Sequence, residues 1–188
     1  MKKFLINEFG EKQGERIYQK QQERFYILVK QSNRNSKSQL KTLKHRILPR
    51  IALYQILQEI PMDKERALQI VSKYFLQEVK KIVNLAHKIE KLPCFYQIFC
   101  IIFSKALKAD NWELSIKQSD NEAMIFTIKK CLWYDTCVEN NCPEMCPMFC
   151  KSDYMIYGSM KKITFKRTQT LGMCGEYCDF KFINNKIK

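Results

Sequence analysis

The chain has few of the residues that interrupt or bend a backbone. Five glycines and five prolines in 188 residues argue against a fibrous repeat and against long disordered tracts. Histidine is nearly absent: His45 and His87 stand alone, each in a helical stretch, so a zinc finger built on paired histidines is excluded. Both are expected at the surface. No arginine–aromatic ladder or other nucleic-acid motif is present. The longest apolar run, Ile98 to Phe103, is followed by Ser104 and Lys105. It falls far short of the roughly 20 residues that cross a bilayer. Lys2 and Lys3 precede only Phe4, Leu5 and Ile6 before Asn7 and Glu8, which is not a secretory core. A cytoplasmic location is expected, with no membrane partner and with reduced cysteines.

What is present is apolar residues, positive charge and thiols. An apolar share of 46% suffices for a packed core, and the length suits one domain with a helical extension. The formal net charge is +14, unevenly spread. Residues 1–50 hold thirteen Lys/Arg against four Asp/Glu, and residues 111–188 hold eleven against nine. The basic excess thus belongs to the N-terminal segment, where it reads as a solvated face; nucleic acid is not an expected partner. There are nine cysteines, an odd number that a single chain cannot pair completely.

Apolar spacing predicts helices over residues 8–30, about 43–60, about 64–89 and 94–107. A Ser/Asn-rich loop or hinge is predicted from Gln31 to Gln39. Pro49 falls inside the second helix, whose start is therefore expected near it. Asp63 is placed to cap the third. The fourth is so apolar that Cys94 and Cys100 read as core residues. Alternation then takes over: Trp112–Lys117 and Ala123–Lys129 form a hairpin around Ser119-Asp120-Asn121, and Ile163–Arg167 and Tyr177–Ile183 supply two more strands. The expected fold is α+β: a helical layer on a small, mostly antiparallel four-stranded sheet with a cysteine-rich helical crossover. The division expected is a basic helical segment over residues 1–40 and an α+β domain over 41–188.

Seven of the nine cysteines lie between Cys131 and Cys178. Cys137, Cys142, Cys146 and Cys150 are spaced five, four and four apart, with Pro143 and Pro147 each starting a turn. Four such thiolates could converge on zinc or an iron–sulfur cluster, although the spacing matches no standard zinc or ferredoxin run. Catalytic thiols and plainly buried cysteines are the other two readings.

The order Cys131-Leu132-Trp133-Tyr134, then Cys142-Pro143-Glu144, then Cys150 and Asp153, then Arg167-Thr168-Gln169-Thr170, then Cys178-Asp179-Phe180 resembles the L-2-amino-thiazoline-4-carboxylic acid hydrolase family. The Leu48–Tyr54 segment, LPRIALY, fits the family more loosely. The resemblance implies hydrolysis of a C–N or C–S bond in a small cyclic amidine or thiazoline bearing a carboxylate, giving a carbamoyl-cysteine-type product. It singles out Cys150, Asp153, Cys178 and Asp179 as catalytic, and Arg167, Thr168, Thr170 and Cys131 as substrate-binding. Those residue types suit the chemistry. A guanidinium can fork onto a carboxylate, a thiolate or activated water can attack the amidine carbon, and a carboxylate can move the proton. Which cysteine attacks stays open. The family often carries a histidine directly before the last cysteine; here Tyr177 stands there, and a tyrosine is no base at neutral pH. The contrasting reading is a non-catalytic module that binds a small molecule or a metal, acting as a sensor.

Overall fold

The computed structural model describes residues 1–32 and 36–185. These form two compact units, Met1–Gln77 and Glu78–Lys188. No helix among the described residues is long and apolar enough to cross a membrane.

The first unit is helical. Helix α1 covers Lys2–Phe9 and α2 covers Glu11–Gln31. The single helix expected over 8–30 is thus two, because Gly10 adopts φ 81°, a conformation that favours glycine and ends α1. Of the expected Gln31–Gln39 loop, Gln31 belongs to α2 and Lys37–Gln39 to α3 (Lys37–Thr42). Ser36 caps α3, and residues 33–35 lie outside the described chain.

Helical backbone then runs unbroken through a π-type turn, Leu43–Ile47, into α4, Leu48–Gln58. Pro49 stands in the first turn of α4, as expected, yet helical backbone also precedes it, and the local geometry shows how it is accommodated. A proline ring clashes with the carbonyl four residues back and offers that carbonyl no N–H. The turn widens, with Leu48 N–H reaching the Leu43 carbonyl. The His45 carbonyl, four residues before Pro49, accepts a 2.7 Å bond from Arg50 Nη1. The guanidinium also lies over the Phe75 ring. Pro49's own carbonyl accepts from the fully buried Gln21 on α2 at 3.0 Å. The core here is Ile17, Leu28, Ile47, Leu48, Ile51 and Leu57. Helix α5, Lys64–Glu90, begins as expected on Asp63, whose carboxylate accepts the Arg66 N–H at 2.6 Å.

In the second unit α6 (Phe95–Leu107) packs on a sheet of β1 (Trp112–Ser119), β2 (Ala123–Cys131), β3 (Ile163–Lys166) and β4 (Cys178–Asn184). The strand order is β1-β2-β4-β3 and every pairing is antiparallel. Alternation decides what each strand buries. Met124, Phe126 and Ile128 pair with Phe182, Phe180 and Cys178 on the face that meets Phe95 and Phe99. Phe126 and Phe180 stack at 4.9 Å, and Phe182 meets Phe99 edge-on at 5.1 Å. The α6 helix is less buried than its composition suggests. Ile101 and Ile102 are 58% and 53% exposed, and Cys94 is a surface residue with φ 53° rather than part of the core.

Between β2 and β3 the chain makes the expected helical crossover: α7 (Leu132–Glu139), a 3-10 turn (Pro143–Met145) and α8 (Cys146–Tyr157). Each proline opens a turn, as its fixed φ and missing N–H favour. The Glu90 carboxylate ties the end of α5 to the approach to β3, accepting the N–H groups of Lys161 and Lys162 at 2.6 and 2.7 Å. At the start of β1, Trp112 stacks on Trp133 of α7 with ring centroids 5.5 Å apart and planes 9° from parallel.

Candidate active site

Cys178 opens β4 opposite Ile128, on the core face of the sheet; Asp179, the next residue, pairs with Thr127 and points the other way. This alternation divides the expected site residues into two groups. Cys131 at the end of β2, Cys146 and Cys150 on α8, and Cys178 lie close enough to perturb one another's ionisation. Asp153, Arg167 and Thr170 join them. Asp179 and Thr168 belong to the opposite face.

Arg167 is the anchor of the first group. Its side chain is 1% exposed. Nη1 donates to Asp153 Oδ2 at 2.6 Å and Nη2 to the Cys150 carbonyl at 2.6 Å. The guanidinium lies 4.7 Å from the Tyr154 ring centre, 5.2 Å from Phe180 and 5.6 Å from Phe165, a strongly positioned cation. Tyr154 also donates its hydroxyl to the Arg167 carbonyl at 2.7 Å. Both ends of the guanidinium fork are therefore held by the protein. Arg167 Nε is buried without a formed hydrogen bond. Thr170 is close enough to Cys150 to favour its thiolate. Sequence reasoning placed Arg167 here but gave no sign of its aromatic enclosure, because Tyr154, Phe165 and Phe180 come from three separate elements.

The thiols differ in their surroundings. Cys150 is pushed well up, first by the hydrogen bond it shares with Cys146 and then by burial. Cys146 is raised in turn by Cys137, and Cys137 by Cys142. The four cysteines expected to surround a metal thus run in a file from one sulfur to the next. Among the described residues no group of three or more His, Cys, Asp or Glu side chains is arranged to hold a metal ion. Cys131 is pushed up to about 12, chiefly by burial. Burial raises Cys178 to about 11, opposed by the Leu171 N–H, which donates to its sulfur at 3.3 Å, and by Arg167. Burial raises Asp153 to about 6, against the pull of Arg167.

Asp179 lies in different surroundings. Its carboxylate accepts the Thr168 N–H, the Thr168 hydroxyl and the Gln169 N–H at 2.8–3.0 Å. Burial opposes its ionisation, but these donors outweigh burial and hold the pKa below the ordinary value. The group is an ionised staple joining the start of the Thr168–Tyr177 loop to β4. Within that loop Gly172 lies against the thiols: a Cβ there would fall 2.6 Å from Cys146 Sγ and 2.9 Å from Cys150 Sγ. Gly172 had no place among the expected site residues. The signal for it is a glycine within a short loop between two motifs.

The helix-capped antiparallel sheet of this α+β domain thus carries on its core face a cysteine cluster, a buried arginine and a carboxylate of raised pKa. The sequence model of the L-2-amino-thiazoline-4-carboxylic acid hydrolases matches residues 41–182, and the chain belongs to that family. No curated protein matches the chain.

Proposed function

We propose that this protein is a hydrolase that opens a small cyclic, carboxylate-bearing amidine or thiazoline at a C–S or C–N bond. Family membership supports the hydrolase class. The observation that carries the reading further is the Leu171 N–H donated to Cys178 Sγ, beside an Arg167–Asp153 pair. An amide donor and a nearby cation both favour a thiolate, and Cys178 has both. Because burial keeps this thiol protonated at neutral pH, attack requires a base, and Asp153 is the carboxylate in the cluster whose pKa lies near neutrality.

Cys178 attacks the amidine carbon as Asp153 takes its proton. Asp153 returns that proton to the ring heteroatom as its bond to the amidine carbon breaks; ionised again, it takes a proton from water as the water oxygen attacks the same carbon, and it passes that proton to Cys178 Sγ as the enzyme C–S bond breaks and the carbamoyl product leaves. Arg167 Nε, buried without a formed hydrogen bond, and the neighbouring Thr170 hydroxyl are the groups that take the substrate carboxylate. Cys131 and Cys150 line the site, and Thr168 and Asp179 support it from the far face.

The test is turnover of 2-aminothiazoline-4-carboxylate by the wild type and by Cys178→Ala and Cys150→Ala variants. A loss of at least about a thousandfold in kcat for Cys178→Ala, with a smaller loss for Cys150→Ala, is expected. Full activity in Cys178→Ala rejects the nucleophile.

One observation favours a second reading, a binding module without turnover: Cys131, Cys137, Cys146, Cys150 and Cys178 are all raised, so each is a neutral thiol near pH 7. Calorimetric binding of the same compound without turnover, together with the zinc and iron content of protein purified without oxygen, separates this reading from the first.

A further inference from the structure

The Leu171 N–H meets Cys178 Sγ only because the loop after β3 turns back on itself, and the contacts that set that return converge on Gln169. Its side-chain Oε1 accepts the Glu176 N–H at 3.0 Å. Its backbone N–H donates to Asp179 Oδ1 at 2.8 Å, and its carbonyl receives the Asp179 N–H at 3.4 Å. Gly175 packs on it so closely that a Cβ there would lie 2.8 Å from Gln169 Oε1 and 2.9 Å from Gln169 Cβ. At the turn itself the Thr170 carbonyl accepts from Met173 N–H at 3.0 Å and from Gly175 N–H at 2.9 Å. One side chain therefore holds the returning strand of the loop, and the outgoing strand bears the amide that meets the thiol.

We infer that Gln169 is a positioning residue: through Glu176 and Gly175 it fixes the loop so that the Leu171 amide stays on the Cys178 sulfur, and so determines whether that sulfur can act as a nucleophile. Its contribution to the chemistry rests on the Cys178 reading above; its hold on the loop does not. The chemical logic is that of a preorganised donor. An amide already directed at a sulfur stabilises developing negative charge without reorganising, whereas a mobile loop must be ordered in every turnover. Gln169 acts through the Leu171 amide and need not touch the substrate.

The test uses the full-length protein and two different perturbations. Gln169→Ala removes the acceptor for Glu176, and Gly175→Ala displaces the returning strand from the other side. Amide hydrogen exchange resolved by NMR is measured at Leu171 and Glu176, with Phe126 in the sheet as an internal reference for global stability. In both variants Leu171 and Glu176 are expected to exchange about tenfold faster, the scale of one lost hydrogen bond, while Phe126 is unchanged. Gln169→Glu keeps an oxygen at the same reach and is expected to restore protection. Turnover of 2-aminothiazoline-4-carboxylate should fall in kcat with KM little altered, and unchanged exchange at Phe126 separates this from a smaller folded fraction, which would lower apparent kcat in the same way.

Leu171 exchange within twofold of wild type in Gln169→Ala overturns the inference. So does equal acceleration at Phe126, which marks Gln169 as generally structural. If exchange responds as expected while Cys178→Ala keeps full activity, the loop assignment stands and the nucleophile assignment falls.

Discussion

Asp153 and Asp179 stand at two positions of the same motif set but in opposite electrostatic situations. Asp179 is surrounded by N–H and O–H donors and stays ionised. Asp153 has one cation for a partner and a buried setting that raises it to about 6 from an ordinary 3.8. A raised folded-state value means that the group binds its proton more tightly folded than unfolded. Its contribution to stability is complete below the ordinary value and is lost as pH rises through about 6. Removing the charge at pH 7 should therefore cost the fold little, and an asparagine carbonyl can still accept from Arg167 Nη1. Asp153→Asn is expected to change unfolding free energy in urea by less than about 1 kcal/mol. The same substitution should reduce turnover by a factor of about a hundred or more, because the base is gone. The wild-type rate should climb as pH rises through about 6, and Asp153→Asn should lack that limb in a pH–rate profile. The sequence could name both aspartates but could not separate their roles, because the separation comes from the strand register that turns Cys178 and Asp179 to opposite faces.

At the scale of elements, the sequence was most legible where one local rule acts alone. The hairpin between β1 and β2, the Asp63 cap and the two proline-initiated turns of the crossover all follow from alternation, capping or a fixed φ. It was least legible where a side chain compensates a local fault. Pro49 was expected to mark a helix start, and α4 does begin beside it, yet helical backbone also precedes it because a π-type turn accommodates the ring and Arg50 bonds the carbonyl that Pro49 cannot serve. Arg50→Met is expected to destabilise the protein by about 1–3 kcal/mol, since Arg50 is buried and its guanidinium supplies the bond. In the Pro49→Ala background, where an amide is again available to the His45 carbonyl, the same substitution should cost measurably less. Chemical denaturation of the four proteins in a double-mutant cycle measures the difference. Helix α6 shows a second limit: apolar content alone suggested burial on most sides, but Ile101 and Ile102 are exposed, since composition does not say how many faces of a helix find a neighbour.

At the scale of the whole molecule, two compact units meet within α5, at Gln77 and Glu78, and the family match from residue 41 to 182 extends across both. The thiols are unequally accessible: Cys94 and Cys174 are exposed, whereas Cys137, Cys142, Cys146 and Cys178 are buried and Cys100, Cys131 and Cys150 are partly so. Native protein treated with a chromogenic disulfide reagent should thus show two fast-reacting thiols, with the remaining seven released on unfolding; mass spectrometry of the labelled peptides would identify the fast pair. The stacked Trp112–Trp133 pair has a consequence of another kind. These are the chain's two tryptophans, and both belong to the second unit. Emission excited at the red edge of the indole band therefore comes from that unit alone and is blind to the helices before it. Circular dichroism, dominated by helix, weighs both units. A melt followed by the two signals together reads, without any label, whether the units unfold as one or in sequence.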